Sequence, residues 1–307
     1  MKAIIVLLWT VSLTGCIDLK SPSKVEEFRV LAVTAEPPEI APGEGTKLQV
    51  LWADPDGKGR EVSFAWIGCA GLLAPPMGLE SCMMLIPPVV LSAEEGGDIL
   101  NIPATPSDLL SYAPEGMSYM KATFIILMCG GGDLPDADEY ESIGQVDDIS
   151  TLCKDGDGIA VYKTITVSNN TEDPQRNPKI ATLKVEGETL YPSDQGATGS
   201  VQCIKDDGCG AEIKLAVTLT DDSFQTYQAE ENGEMVSVDE ELFVSWFVTD
   251  GDVDAPTSAS TTEDPLGPYE VTWRPEHEGS FTLYVAAHDF RGGASFETYE
   301  VEVTAAR

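Results

Sequence analysis

The chain has 307 residues, with 52 Asp and Glu against 18 Lys and Arg and a formal net charge of −34. That balance excludes a nucleic-acid binder, whose target phosphates would be repelled, and disfavours adhesion of the protein body to anionic lipid. The acidic residues are interleaved with apolar ones through both halves, which reads as the solvated surface of folded domains, and the length allows about two domains at roughly 100–200 residues each.

The first sixteen residues carry an address. Met1-Lys2 is a positive start, Ala3 to Leu13 is apolar except at Thr10 and Ser12, and Leu13-Thr14-Gly15-Cys16 ends the run with small residues before a cysteine. This is the charged, apolar and small-residue anatomy of an export signal, and the apolar run is too short to span a bilayer. An ordinary secretory signal with Cys16 nearby by chance, or an uncleaved anchor, is the alternative. Order and spacing resemble the lipobox of bacterial lipoproteins. The resemblance implies removal of residues 1–15, lipidation of Cys16 and a membrane contact made through the lipid, where two or more acyl chains hold stably and one does not. Ile17 follows the cysteine and Asp18 comes one later. Under the family's sorting rule that arrangement implies an outer-membrane destination. Residues 16–26, polar and containing Ser21-Pro22-Ser23, read as a tether.

From Phe28 the apolar signal comes in short runs rich in Val, Ile, Thr and aromatics, separated by Gly, Pro, Asp and Asn. Arg29 to Val33 and Lys47 to Trp52 are predicted strands around a turn at Glu36 to Gly43. Asp54-Pro55-Asp56-Gly57 breaks the chain before Val62-Ser63-Phe64-Ala65-Trp66, whose strict alternation puts Val62, Phe64 and Trp66 on one face. Gly71 to Leu91 carries Pro75-Pro76 and Pro87-Pro88, which rules out one regular central strand. Ser107 to Tyr112 has room for one helical turn, Lys121 to Met128 is a strand, Gly130 to Thr151 an acidic Gly-rich insertion, and Ile159 to Val167 a closing strand. These residues are read as a first domain, 27–168, followed by a polar linker, 169–178.

Residues 179–307 repeat the rhythm. Ile180 to Val185, Glu212 to Thr220, Tyr269 to Trp273, Gly279 to Asp289 and Thr298 to Thr304 are strands, and Glu241-Leu242-Phe243-Val244-Ser245-Trp246 matches Glu61 to Trp66 in length and in its final Trp. About seven short strands per half with a central Trp is the pattern of an immunoglobulin-like sandwich. Ser245 to Asp252 and the ending Asp289-Phe290-Arg291-Gly292-Gly293 resemble bacterial immunoglobulin-like and PKD-type repeats. The expected fold class is therefore all-β: two tandem immunoglobulin-like β-sandwich domains after a signal peptide, the first with long insertions. Trp66 and Trp246 would plug the space between sheets, the alternative being a platform for sugar.

Six cysteines remain besides Cys16, an even number that favours disulfides in an exported chain. Sequence-local pairs are preferred, Cys69–Cys82, Cys129–Cys153 and Cys203–Cys209, because in such a sandwich Cys69 and Cys129 lie at opposite ends. Zinc is disfavoured by the lack of a CxxC pair and by the distance of His277 and His288 from any cysteine. No GxSxG, HExxH, GxGxxG or GxxxxGK[ST] motif is present. Calcium is the one cofactor to weigh: Asp250, Asp252 and Asp254 alternate as in an EF-hand loop, and Asp155 and Asp157 form a shorter version. Against it, Ala255 stands at the loop-glycine position, Thr261 at the bidentate-glutamate position, and Asp-Gly is a strong turn signal. The functional expectation is a non-catalytic cell-envelope lipoprotein whose modules act as spacer or binding surface, with an envelope protein or polysaccharide as partner. A calcium-dependent module, or an enzyme with its site in the first-domain insertion, is the alternative.

Overall fold

The computed structural model describes residues 21–70, 89–95, 97–102, 105, 107–113, 118–136, 139, 148–170, 173–192, 198–203, 211–231, 234–261 and 263–305. In the N-terminal half the strands are β1 (Arg29–Glu36), β2 (Glu39–Ile40), β3 (Thr46–Ala53), β4 (Val62–Ala70), β5 (Val89–Glu95), β6 (Ile99–Ile102), β7 (Tyr119–Gly130) and β8 (Asp157–Ser168). They form two sheets, β1-β3-β6 and β2-β8-β7-β4-β5. The C-terminal half contains β9 (Ile180–Val185), β10 (Glu188–Leu190), β11 (Thr198–Cys203), β12 (Ile213–Leu219), the hairpin β13 (Thr226–Glu231) and β14 (Glu234–Asp239), then β15 (Leu242–Val248), β16 (Asp252–Val253), β17 (Thr257–Ala259), β18 (Tyr269–Arg274), β19 (Gly279–Asp289) and β20 (Ala294–Ala305). Its sheets are β10-β9-β12-β18-β16 and β11-β20-β19-β15-β17.

The two halves share one strand plan. In each, a first strand joins one sheet and a later short segment pairs in parallel with the last strand of the other. Glu39 lies opposite Thr166 in the first half, and Thr198 opposite Glu300 in the second. The strands carrying Trp66 and Trp246, which run on past them to Ala70 and Val248, take the same place, next to the penultimate strand. The molecule is thus all-β, two tandem immunoglobulin-like sandwiches, as the alternation implies. Each sandwich has its own apolar filling, one around Leu48, Phe64, Trp66 and Ile126, the other around Val217, Trp246, Trp273 and Val285. Both tryptophans are fully buried, and each indole meets its polar obligation: Trp66 Nε1 donates to the Gly97 carbonyl at 2.7 Å and Trp246 Nε1 to Ser258 Oγ at 2.9 Å.

A third apolar cluster joins the halves. Leu31, Ala32, Leu51 and Ala53 on β1 and β3 pack with Ala286, Phe247, Tyr284 and Phe296 of the C-terminal sandwich. Tyr284 and Ala286 alternate with the inward Leu283, Val285 and Ala287 of β19, so apolar side chains occupy both faces of that strand. Val25 completes the cluster. Residues 21–25, expected within a tether, are docked as a strap: Val25 N donates to the Val248 carbonyl at 2.8 Å, Val248 N donates to the Ser23 carbonyl at 2.9 Å, and Ser21 Oγ donates to Asp252. Ser23 and Val25 are buried. One apolar side chain and two backbone hydrogen bonds suffice to dock a stretch whose composition is polar.

The polar stretch between the halves is equally committed. Gln175 Nε2 donates to both Asp289 oxygens. Asn177 Nδ2 donates to the Ala35 carbonyl and to Glu36, while Asn177 Oδ1 accepts from Ala294 N. Both residues are buried, at 3 % and 4 % exposure. Trp246→Ala should cost about 3–5 kcal/mol, read as a lower midpoint in urea; a midpoint equal to wild type would contradict the packing described.

Candidate functional site

Cys16, Cys82 and Cys209 lie outside the described residues, and for Cys69 and Cys203 only the backbone course is described. Cys129 and Cys153 are bridged, with Cα atoms 5.5 Å apart, closing the loop between β7 and β8. Cys69 faces Thr123, whereas Cys129 faces Ser63. That register separates Cys69 from Cys129 by roughly 20 Å of strand, which excludes a bridge between them. No helix among the described residues is long and apolar enough to cross a membrane.

The carboxylates weighed for calcium serve different partners. Asp250 Oδ2 accepts from the backbone N of Glu276 and His277, at 2.8 and 3.0 Å, and Oδ1 lies 2.7 Å from His277 Nδ1. Asp252 meets Ser21, and Asp254 Oδ1 accepts from Thr272 N. Asp157 pairs with Arg60 Nη1 at 2.7 Å, and Asp155 is a left-handed turn residue with φ of 56°. One metal-type group converges among the described residues, Asp250, Glu276 and His277, with ligand atoms within 4.8 Å of one another. Lys24 Nζ lies 3.3 Å from Glu276 Oε2, and the Asp250 oxygens are engaged as above, so the group closes the β18–β19 turn. Gly251, with φ of 75°, turns the chain where a Cβ would sit 2.0 Å from the Arg274 carbonyl oxygen, so Asp250-Gly251 is the turn its composition suggests.

The feature with the shape of a site is a cleft of about 550 Å³ where the two sandwiches meet. Its walls are Val30–Val33 of β1, Val161–Thr164 of β8, Lys121 of β7, and the turn His288–Ala294 between β19 and β20. The cleft exists because β2 covers β8 only at Thr166 and Val167, leaving the neighbouring edge to be faced by the other sandwich. Lys163 Nζ donates to the Gly292 carbonyl at 2.7 Å and Lys121 Nζ to Thr166 Oγ1 at 2.7 Å. The His288 ring stacks on Phe243 with centroids 4.9 Å apart, and Phe290, 71 % exposed, lies 5.2 Å from the same ring. Arg291 bridges the rim: Nη1 is 3.4 Å from Glu240 Oε1, Nη2 is 3.8 Å from Glu39 Oε2, and the guanidinium lies 4.4 Å from the Tyr227 centroid.

Burial dominates the titration of these groups. It pushes Lys163 down to about 8 against the pull of Asp289, and His288 down to about 4 with help from the Lys163 charge. Burial, followed by Arg291, also lowers Lys121. Glu240 is pushed up to about 7 by burial and by Asp289, with Arg291 opposing, and its Oε2 has no hydrogen-bond partner. One visible sign of this site in the sequence is Lys163, a charge in the inward register of Val161, Ile165 and Val167. The hairpin beside Arg291 was signalled too, by Asn232-Gly233 between its strands.

No protein-family model matches the sequence, and no curated protein matches it. Among solved structures, fibronectin(III)-like modules of Clostridium thermocellum CbhA align over 90% of this chain and 96% of theirs, at 13% identity and a TM-score of 0.26. Three N-terminal domains of the bacteriophage RB49 outer capsid protein Hoc align over 92% of this chain and 71% of theirs, at 8% identity and 0.23. A red sea bream transglutaminase aligns over 91% of this chain and 32% of its own, at 11% identity and 0.23. The fold assignment rests on strand order and packing, and these likenesses carry nothing about function.

The titrations have a measurable sign. Glu240 holds its proton to about pH 7 in the fold and to 4.5 in the reference state, so stability falls as pH rises between those values and stays reduced above them. His288 acts oppositely: neutral in the fold down to about 4, it withdraws stability as pH falls from 6.5 to that value. Glu240→Gln removes the first effect alone. Its melting temperature should exceed that of wild type at pH 8, by a margin that closes on acidification to pH 4.5; a margin independent of pH would contradict the assignment.

Proposed function

We propose that the chain is a non-catalytic lipoprotein of the cell envelope, held to the outer membrane through Cys16, whose paired sandwiches form one fixed binding platform. The observation that carries this reading is the commitment of both polar connectors: Ser23 and Val25 of the strap, and Gln175 and Asn177 of the segment between the halves, are buried, and Val25, Gln175 and Asn177 contact both sandwiches. A pair of modules joined by free linkers suits an extendable spacer. A pair locked side by side over an apolar cluster suits presentation of a surface at a set angle.

The strap also gives the platform an orientation. Four residues separate Cys16 from Ser21, and the five Cα-to-Cα steps between them give a contour of at most about 18 Å. Anchored in this way, the bilayer lies near the turn at Asp250 to Asp252, where Ser21 is docked. Leu242 pairs with Asp289 at the other end of β15, so Phe290, the β13–β14 hairpin and the mouth of the cleft beside them face away from the lipid. The acidic surface supports this arrangement, because repulsion from anionic headgroups keeps the body off the membrane while the acyl chains hold it.

Cys16→Ala decides the anchor: the variant should leave the membrane fraction and be recovered as soluble protein, and retention with membranes would overturn the reading.

A further inference from the structure

Two lysines in the cleft stand out against the charge balance of the chain. With 18 basic residues among 52 acidic ones, carboxylate partners are in excess. Among the described residues, however, neither Lys121 nor Lys163 forms an ion pair: each is bonded to a neutral oxygen, of Thr166 and Gly292 respectively. An ammonium carries three donors, and each of these gives one to the protein. Lys121 lies opposite Thr166 and Lys163 opposite Phe124, so the two approach the edge of β8 from opposite faces of the sheet. The acidic group on the cleft wall, Asp289, accepts from Gln175 Nε2 and from the backbone N of Arg291 and Gly293; it forms no ion pair with either lysine and attracts both only through space. Arg291 adds a third cation, and its charge depresses Lys121 as that of Lys163 depresses His288, the secondary cause behind burial in both cases. Arg291 is paired with Glu240 and Glu39, so what the cleft offers a ligand is the two ammonium groups, which have no carboxylate in contact among the described residues and donors left over.

The rim supplies the other half of a recognition surface. Phe290 and Tyr162, the latter 44 % exposed, present flat apolar rings beside the lysines, with His288 stacked behind on Phe243. Few polar groups set among aromatic surface in a concavity is the usual composition of a small-ligand site. An extended acidic peptide fits poorly, because the edge of β8 is closed on both sides. Gly292 sits over the Thr164 carbonyl, and the 3-10 turn Ile149–Leu152 sits over Gly158, leaving too few residues for an added strand.

We propose that this cleft binds an acidic sugar, a hexose unit bearing a carboxylate or a sulfate, with Lys121 and Lys163 on the anionic group and Phe290 and Tyr162 against the ring. The proposal deepens the binding reading above and is independent of the lipid anchor. It is tested by calorimetric titration of the full-length protein in detergent with trigalacturonic acid, a sulfated galactose trimer, a neutral galactose trimer and pentaglutamate. At least one acidic trimer should bind, more weakly as salt is raised, and the better one identifies the anion; the neutral trimer and the peptide should not. Lys163 also packs, so Lys121→Met, with its melting temperature checked, carries the decision. It should weaken Kd about tenfold or more, as expected for loss of one charge-assisted hydrogen bond, and Phe290→Ala should weaken Kd as well. Failure of both acidic trimers to bind, equal binding of the neutral trimer or of pentaglutamate, or an unchanged Kd in Lys121→Met would overturn the proposal. Since the anchor is read separately by fractionation of Cys16→Ala, loss of sugar binding and loss of the lipoprotein assignment remain distinguishable.

Discussion

Everything about how the two sandwiches relate depends on satisfying two buried amides. A side-chain amide removed from water without partners costs a large share of a domain's net stability. Gln175 and Asn177 are both buried, and their partners belong to both halves: Asp289 and Ala294 on one side, Ala35 and Glu36 on the other. Tilting one sandwich on the other would break several of these bonds together. The apolar cluster of Leu31, Leu51, Phe247 and Tyr284 supplies area, but apolar contact is non-directional. The amides make one angle the satisfied one.

Given that angle, the cleft follows. The His288–Ala294 turn is held by Asp289, which accepts from the turn's own backbone and from Gln175. The turn is thereby placed beside β8, where Lys163 reaches Gly292. Burial in this seam shifts Glu240, Lys163 and His288 in the directions that favour their neutral forms. The same seam that orders the modules therefore creates the molecule's most unusual electrostatic environment.

Much of the fold was legible, for a reason visible in particular residues. Val62, Phe64 and Trp66, and Leu242, Val244 and Trp246, alternate with period two because that face of each strand fills the space between two sheets, while on β4 Ala65 and Ile67 of the other face fill a further apolar cluster with Ile125 and Leu127. The Asp250-Gly251 turn and the Cys129–Cys153 bridge were legible from local chemistry. The cleft was not, since Lys121, Lys163 and His288 come from three strands in two modules and share no spacing. Val25 was hidden for a related reason: a lone apolar residue in a polar stretch has no period, and its partner Val248 lies far along the chain. Ser23, Gln175 and Asn177 look like linker residues by composition, yet they are interior because their hydrogen-bonding groups meet partners there.

The strap has a further consequence, for the order of assembly. Its backbone partner, Val248, belongs to the second sandwich, and its side chain packs on Ala286, so the N-terminal residues cannot reach their final place until most of the chain has been made and the second module is built. Closing so long a loop adds little entropy cost beyond that of a shorter one, but it makes the contact late. The strap, made before either sandwich, is thus seated only after the second one has formed.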